Sequence, residues 1–307
     1  MSLPNLSKAL PFTATLAVLA TAGTLGATPE TETGTITFRH SETNERVVVF
    51  YARSSEYRET TPPVLVLHGM NRNPWDYRDA WTGLAAAHDL FIFVPYFREE
   101  DYPGPVGYNL GNVFESESDL TRRPASQWSY RLPDLVFTHL RESGETRAAG
   151  YLAFGHSAGS QFLHRKIGFA PDERMLLAVA ANAGWYTFPD LETPWPYGYG
   201  GTGLREPDLV PYFESALHIL LGDQDTDPED SSLRRAPEAM KQGRHRLERG
   251  HSFFQAARAR AAKMETPFNW TISEVPGVGH DNAGMAPAAA RIFVDFIESR
   301  SHPRSKE

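Results

Sequence analysis

The chain has 307 residues, 41% of them hydrophobic and 22% charged, with a formal net charge of -8. That balance suits a globular protein with a sizeable core and argues against attraction to nucleic acid or to an anionic membrane. The sequence holds no cysteine, which removes thiol nucleophiles, thiolate metal sites, stapling disulfides and a lipid-modified N-terminal cysteine.

Residues 1–27 differ in kind from the rest. Lys8 is their only charge, an apolar run follows from Ala9 to Leu19, and then comes the small-residue stretch Ala20-Thr21-Ala22-Gly23. A weakly positive end, a short apolar core and a small-residue site read as a secretory signal, cleaved after Ala22 or Ala27. The run is too short and too rich in Ala and Thr for a membrane span, so a secreted or periplasmic protein without stable membrane insertion is expected. At the other end, 301–307 read as a polar, disordered tail.

Between these ends, strands alternate with helices. The predicted strands are Thr35–Phe38, Val47–Tyr51, Val64–Leu67, Phe91–Val94, Tyr151–Phe154, Leu176–Ala180, His218–Leu221 and Asn269–Glu274. The middle ones are short apolar runs ended by Gly or Pro, the pattern of strands buried on both faces. Predicted helices cover Trp75–Ala87, Tyr130–Glu142, Ala158–Ile167, Leu247–Lys263 and Ala286–Ile297. Ser129 offers an N-cap for the second, with Pro133 in its first turn. Such alternation predicts one α/β domain over 28–300: a mostly parallel sheet of about eight strands, antiparallel at its start and covered by helices on both faces. Reactive residues belong at the carboxyl ends of its strands.

Gly155-His156-Ser157-Ala158-Gly159 stands between a predicted strand and a predicted helix. This is the context a nucleophile elbow needs, because a sharp strand-to-helix turn lifts the Ser157 hydroxyl above the sheet. A serine requires a base, and in this arrangement the order is Ser, acid, His. Among the histidines after Ser157, His280 is favoured, since it follows a strand in the loop Pro276–Asp281. The acid should leave the preceding strand, where Asp223, Asp225 and Asp227 follow Gly222; Asp225 is preferred and Asp223 is the runner-up. The D-x-D-x-D spacing there lacks the Gly and Glu of a calcium loop, with Pro228 and Arg234 at those places. The oxyanion donors are expected to be the N–H groups of Ala158 and Met70, the latter in His68-Gly69-Met70-Asn71 after the strand Val64–Leu67. His68 reads as a brace of that loop.

Two other patterns carry little weight. Gly198-Tyr199-Gly200-Gly201-Thr202-Gly203 matches a dinucleotide fingerprint but neither follows a strand nor opens a helix. The basic stretch Arg244–Arg260 reads as a solvated helix face.

Several segments are longer than a generic hydrolase motif: Leu67–Asn73, Asp76–Trp81, the elbow with Gln161–Arg165, Gly184–Thr187, Gly222–Asp225 and Val275–Asp281. With these the chain resembles the LpqC-type poly(3-hydroxybutyrate) depolymerases and their feruloyl-esterase relatives, over about Val64 to Met285. The resemblance implies an α/β-hydrolase fold and Ser157, Asp225 and His280 as triad, in agreement with the order argument. Lipoprotein members carry a lipobox cysteine that this chain lacks, so a lipid anchor is not implied.

The segments 97–128 and 185–215 are long and rich in Tyr, Trp, Pro and Gly. Loops of this kind at strand ends line a cleft, so Trp185, Tyr186, His68, Tyr108 and Asn109 are candidate substrate contacts. An ester or polyester substrate, cleaved without metal or organic cofactor, is the leading expectation. A secreted serine peptidase of the same fold, or a binding protein on a hydrolase scaffold, are the alternatives.

Overall fold

The computed structural model describes residues 29–40 and 44–301. The segment 1–27 expected to be a signal, and the expected tail beyond Ser301, lie outside the described residues.

The strands are β1 (Thr31–Arg39), β2 (Arg46–Ser54), β3 (Val64–Leu67), β4 (Phe91–Pro95), β5 (Tyr151–His156), β6 (Met175–Ala181), β7 (Leu217–Gly222) and β8 (Thr271–Val275). The helices are α1 (Pro74–His88), α2 (Gly104–Gly107), α3 (Leu132–Glu142), α4 (Ala158–Phe169), α5 (Val210–Glu214), α6 (Pro237–Gln242), α7 (Arg246–Lys263) and α8 (Asn282–Ser301). All eight predicted strands are present within a few residues of their predicted ends.

The strands form one sheet in the order β1-β2-β4-β3-β5-β6-β7-β8. β2 pairs antiparallel with both β1 and β4, and every pair from β4 to β8 is parallel. β3 lies between β4 and β5, so the winding direction reverses there and a crevice opens at the carboxyl ends of β3 and β5. β3, β4, β5 and β7 are buried along their whole length, which is why their sequences are continuous apolar runs.

Two cores flank the sheet. On one face Tyr77, Trp81 and Ala85 of α1 meet Met285, Ala289 and Phe293 of α8. On the other, Val136 and Phe137 of α3, Phe162 and Leu163 of α4, Tyr212 of α5 and Phe253 of α7 form a larger, aromatic core.

Two local expectations fail. Ser129 does not cap α3: it lies in a 3-10 turn, Ser129–Arg131, that precedes the helix, and its hydroxyl bonds the Tyr108 carbonyl at 3.3 Å. Pro133 does fall in the first turn. The last helix begins four residues earlier than predicted, because the Asp281 carboxylate accepts the N–H groups of Ala283 at 3.1 Å and Gly284 at 3.0 Å and so starts the turn there.

Candidate active site

β5 ends at His156, and Ser157 turns the chain into α4 with φ 57° and ψ -115°, a strained conformation for a residue with a side chain. The turn closes only because its neighbours are glycines. A Cβ on Gly155 would lie 2.3 Å from the Gly159 carbonyl oxygen, and one on Gly159 would lie 2.3 Å from that of Leu67. The Ser157 N–H is tied to Ala181 O at 3.0 Å, so the hydroxyl projects from a turn that is fixed on both sides.

His280 and Asp225 arrive from separate loops. His280 Nε2 lies 3.1 Å from Ser157 Oγ, and its Nδ1 lies 2.7 Å from Asp225 Oδ2. The three residues chosen from sequence order thus form one hydrogen-bonded chain across a span of 123 positions. Asp223 does not reach the imidazole; its Oδ1 accepts the Gly277 N–H at 2.7 Å and braces the loop that carries His280. Asp225 is 4% exposed, and its other oxygen accepts from Arg246 Nη1 at 3.2 Å.

The loop after β3 lies beside Ser157, with the Cβ direction of Gly69 pointing to within 3.8 Å of Ser157 Cβ. Ala158 is the first residue of α4, so its N–H has no intrahelical acceptor. The Met70 N–H makes no backbone hydrogen bond among the described residues. Arg72 holds this loop against the next one: its guanidinium donates to the carbonyls of Phe97 at 2.8 Å, Tyr102 at 3.0 Å and Gly104 at 3.0 Å.

These elements enclose a cleft of about 550 Å³, lined among others by Met70, Asn109, Ser157, Trp185, Arg234 and His280. Of the five proposed substrate contacts, Trp185 and Asn109 border it. The other three pack behind its wall. His68 is fully buried, with Nδ1 at 3.0 Å from Gly69 O and Nε2 accepting the Phe97 N–H at 3.2 Å, which is the bracing part read from the sequence. Tyr108 is also fully buried and donates to His68 O at 2.6 Å. Tyr186 stacks on Phe253 with ring centroids 4.4 Å apart. Trp185 itself has two guanidiniums over its ring, Arg165 at 4.1 Å and Arg234 at 4.6 Å, so much of its π-surface is already engaged.

Burial fixes the charge state of the neighbouring histidines. His156, tilted against the His280 ring at 4.7 Å between centroids, is held well below the ordinary imidazole range by desolvation, then by the nearby His280 and Arg246. His68 is pushed down to about 3, chiefly by desolvation. Both are neutral near pH 7.

Three site residues escaped the sequence reading. Arg246 was placed on a solvated face, yet it and Arg249 are buried, while Arg244 and Arg258 of the same stretch are exposed. The signal was available, because 246, 249, 253 and 257 repeat at helical spacing with the apolar Phe253 and Ala257 on the same stripe. Asn182, just beyond β6, joins the loops that carry Asp225 and His280. His156 packs on the His280 ring. Nothing in their local sequence marks the last two. Among the described residues, no group of three or more His, Asp or Glu side chains could hold a metal ion, and no helix is long and apolar enough to cross a membrane.

No protein-family profile and no curated protein matches the chain. Solved structures do. Poly(aspartic acid) hydrolase-1 from Sphingomonas sp. KT-1 is 36% identical over 85% of this chain and 98% of its own, with a TM-score of 0.81. LpqC, a poly(3-hydroxybutyrate) depolymerase from Bordetella parapertussis, is 34% identical over 87% of this chain and 90% of its own, with a TM-score of 0.80. An S-formylglutathione hydrolase from Agrobacterium tumefaciens, 16% identical over 87% of this chain and 94% of its own at a TM-score of 0.55, shares the fold. Identities of 36% and 34% over nearly the whole domain mean that this chain is a hydrolase of the α/β-hydrolase fold and belongs to the LpqC-type family.

Proposed function

We propose that the chain is a secreted serine hydrolase that cleaves carboxylic esters through an acyl-enzyme on Ser157. One observation carries this reading: the continuous relay from Ser157 Oγ through His280 to Asp225, with spacings of 3.1 Å and 2.7 Å. His280 Nε2 takes the Ser157 proton as the oxygen attacks the ester carbonyl. The carbonyl oxygen becomes the oxyanion and rests on the N–H groups of Ala158 and Met70, at the start of α4 where the helix dipole is positive. His280 then gives its proton to the departing alcohol, and Asp225 stabilises the imidazolium between the two transfers. Water, deprotonated by the same imidazole, attacks the acyl group and frees Ser157. Residues 1–27 serve as the export signal in this reading, and 28–300 act as the catalytic domain.

Amide cleavage is the second reading, favoured by the likeness to a poly(aspartic acid) hydrolase. The same relay serves it if His280 protonates the leaving nitrogen. A binding protein without turnover would have no use for a strained elbow with an aligned base.

The experiment is labelling with a fluorophosphonate probe, followed by turnover of p-nitrophenyl esters of short and long acyl chains, feruloyl esters, poly(3-hydroxybutyrate) film, poly(aspartic acid) and peptide anilides. The wild type should label and Ser157→Ala should not, and esters should turn over fastest. Labelling of Ser157→Ala overturns the nucleophile, and a higher kcat/KM on amides than on esters overturns the ester reading.

A further inference from the structure

Arg246 touches the relay from outside it. Its Nη1 donates at 3.2 Å to Asp225 Oδ1, the oxygen that His280 leaves free, while its Nη2 donates to Asp230 Oδ1 at 3.1 Å and Ser232 Oγ at 2.7 Å. The backbone reinforces the contact, because the N–H of Leu247 donates to the Asp225 carbonyl at 3.2 Å. The first turn of α7 therefore grips the acid by main chain and side chain together. The Arg246 side chain is 2% exposed, so water and salt screen its charge little.

We infer that Arg246 is a positioning residue that sets the basicity of His280 through Asp225. The inference rests on the relay proposed above. A carboxylate beside an imidazole favours its protonated form. A guanidinium on the far oxygen of that carboxylate offsets part of the attraction, so the proton is held less firmly than it would be by Asp225 alone. The free imidazole is the form that accepts the Ser157 proton. Because Arg246 and His280 use opposite oxygens, the cation acts without displacing the imidazole.

The other groups around the pair do not supply this charge. His156, against the His280 ring, is neutral. Tyr186, near Asp225, is kept protonated by burial. Asp281 is turned to the first turn of α8 and Asp223 to Gly277. Arg249, further along α7, spends its donors on the carbonyls of Gly184 and Gly243. Asp230 is ionised, held well below the ordinary carboxylate range chiefly by its bond from Ser232 and then by Arg246, and it competes with Asp225 for the same guanidinium.

That competition gives two variants with opposite signs. The pKa of His280 is read by NMR of its ring, assigned with His280→Gln, and the acid limb of kcat/KM is followed alongside. Arg246→Met should raise the His280 pKa by about one unit or more and move the acid limb up equally, while Arg246→Lys should recover at least half of the shift. Asp230→Asn, at a half-exposed loop position, should lower the pKa, because the guanidinium then faces Asp225 alone. A folded Arg246→Met enzyme with the wild-type pKa overturns the inference. Should that variant not fold, an unchanged or raised pKa in Asp230→Asn does so instead. Fluorophosphonate labelling of Ser157→Ala reports separately on the nucleophile, so failure of the relay is told apart from failure of the arginine.

Discussion

Asn182 ties Gly222 to Gly279 with one side chain, its Oδ1 accepting the Gly222 N–H at 2.8 Å and its Nδ2 donating to the Gly279 carbonyl at 2.9 Å. Gly222 ends the strand that leads to Asp225, and Gly279 immediately precedes His280. A single buried amide thus sets the separation of the two loops whose side chains must meet. Replacing Asn182 by Ala leaves the buried Gly222 N–H unpaired, which costs about 1–3 kcal/mol, while the Gly279 carbonyl keeps the Asp281 N–H at 2.9 Å. Urea denaturation should show that loss. Ester turnover should show kcat lowered about 10- to 100-fold, as expected when a positioning contact is lost, with KM changed much less. A kcat within twofold of wild type would remove Asn182 from the positioning machinery.

The two aspartates of the acid loop separate cleanly. Asp225→Asn keeps the shape but takes away the charge that orients and stabilises protonated His280, and should reduce kcat by about 10⁴-fold. Asp223→Asn can still accept from Gly277 and should change stability by no more than about 0.5 kcal/mol. Steady-state kinetics of the pair decide it: equal loss in both variants would contradict the assignment.

Gly159 and Gly83 predict opposite outcomes for one substitution. A Cβ at Gly159 would stand 2.3 Å from Leu67 O and 2.9 Å from Leu67 Cβ, so the elbow must open, whereas Gly83 on α1 is exposed with nothing within 4 Å. Gly159→Ala should destabilise by about 2–3 kcal/mol and abolish labelling by the probe. Gly83→Ala should stabilise by about 0.5–1 kcal/mol, since alanine suits a helix interior better. Urea midpoints measure both.

His218 makes stability depend on pH. On β7 its Nδ1 lies 2.7 Å from Thr271 Oγ1 and its Nε2 2.8 Å from Ser273 Oγ, and burial pushes its pKa from 6.5 down to about 4. The unfolded chain therefore binds more protons between those values. The contribution is present above about pH 6.5 and is lost as pH falls through about 4. Going from pH 7 to 4.5 should cost the wild type about 2 kcal/mol more than His218→Gln. An equal loss in both, read from urea unfolding at the two pH values, would show that His218 does not titrate this way.

Much of this protein is local and was legible as such. Apolar runs ended by Gly or Pro marked the strands, because a strand buried on both faces has no room for polar residues. The elbow was readable because Gly155 answers a steric demand made within five residues, by the Gly159 carbonyl, although Gly159 makes room for Leu67 of β3. Chain order then narrowed the base to His280 and the acid to one turn. The short helices α5 and α6 and the early start of α8 were not visible, since one or two turns show no periodicity and a cap depends on where the neighbouring chain leads.

Contacts between distant segments were decided by the tertiary structure alone. Whether Tyr108, Tyr186 and His68 face the cleft or the core depends on which way a loop crosses the sheet, and an aromatic residue reads the same in either place. The arginines of α7 look solvated in a charged stretch, yet two point inward, because a buried guanidinium is tolerated wherever carboxylates and carbonyls from elsewhere meet it. Residue order selects the proposed reacting groups, and only the folded sheet brings the Asn182 amide and the Arg246 guanidinium up to them.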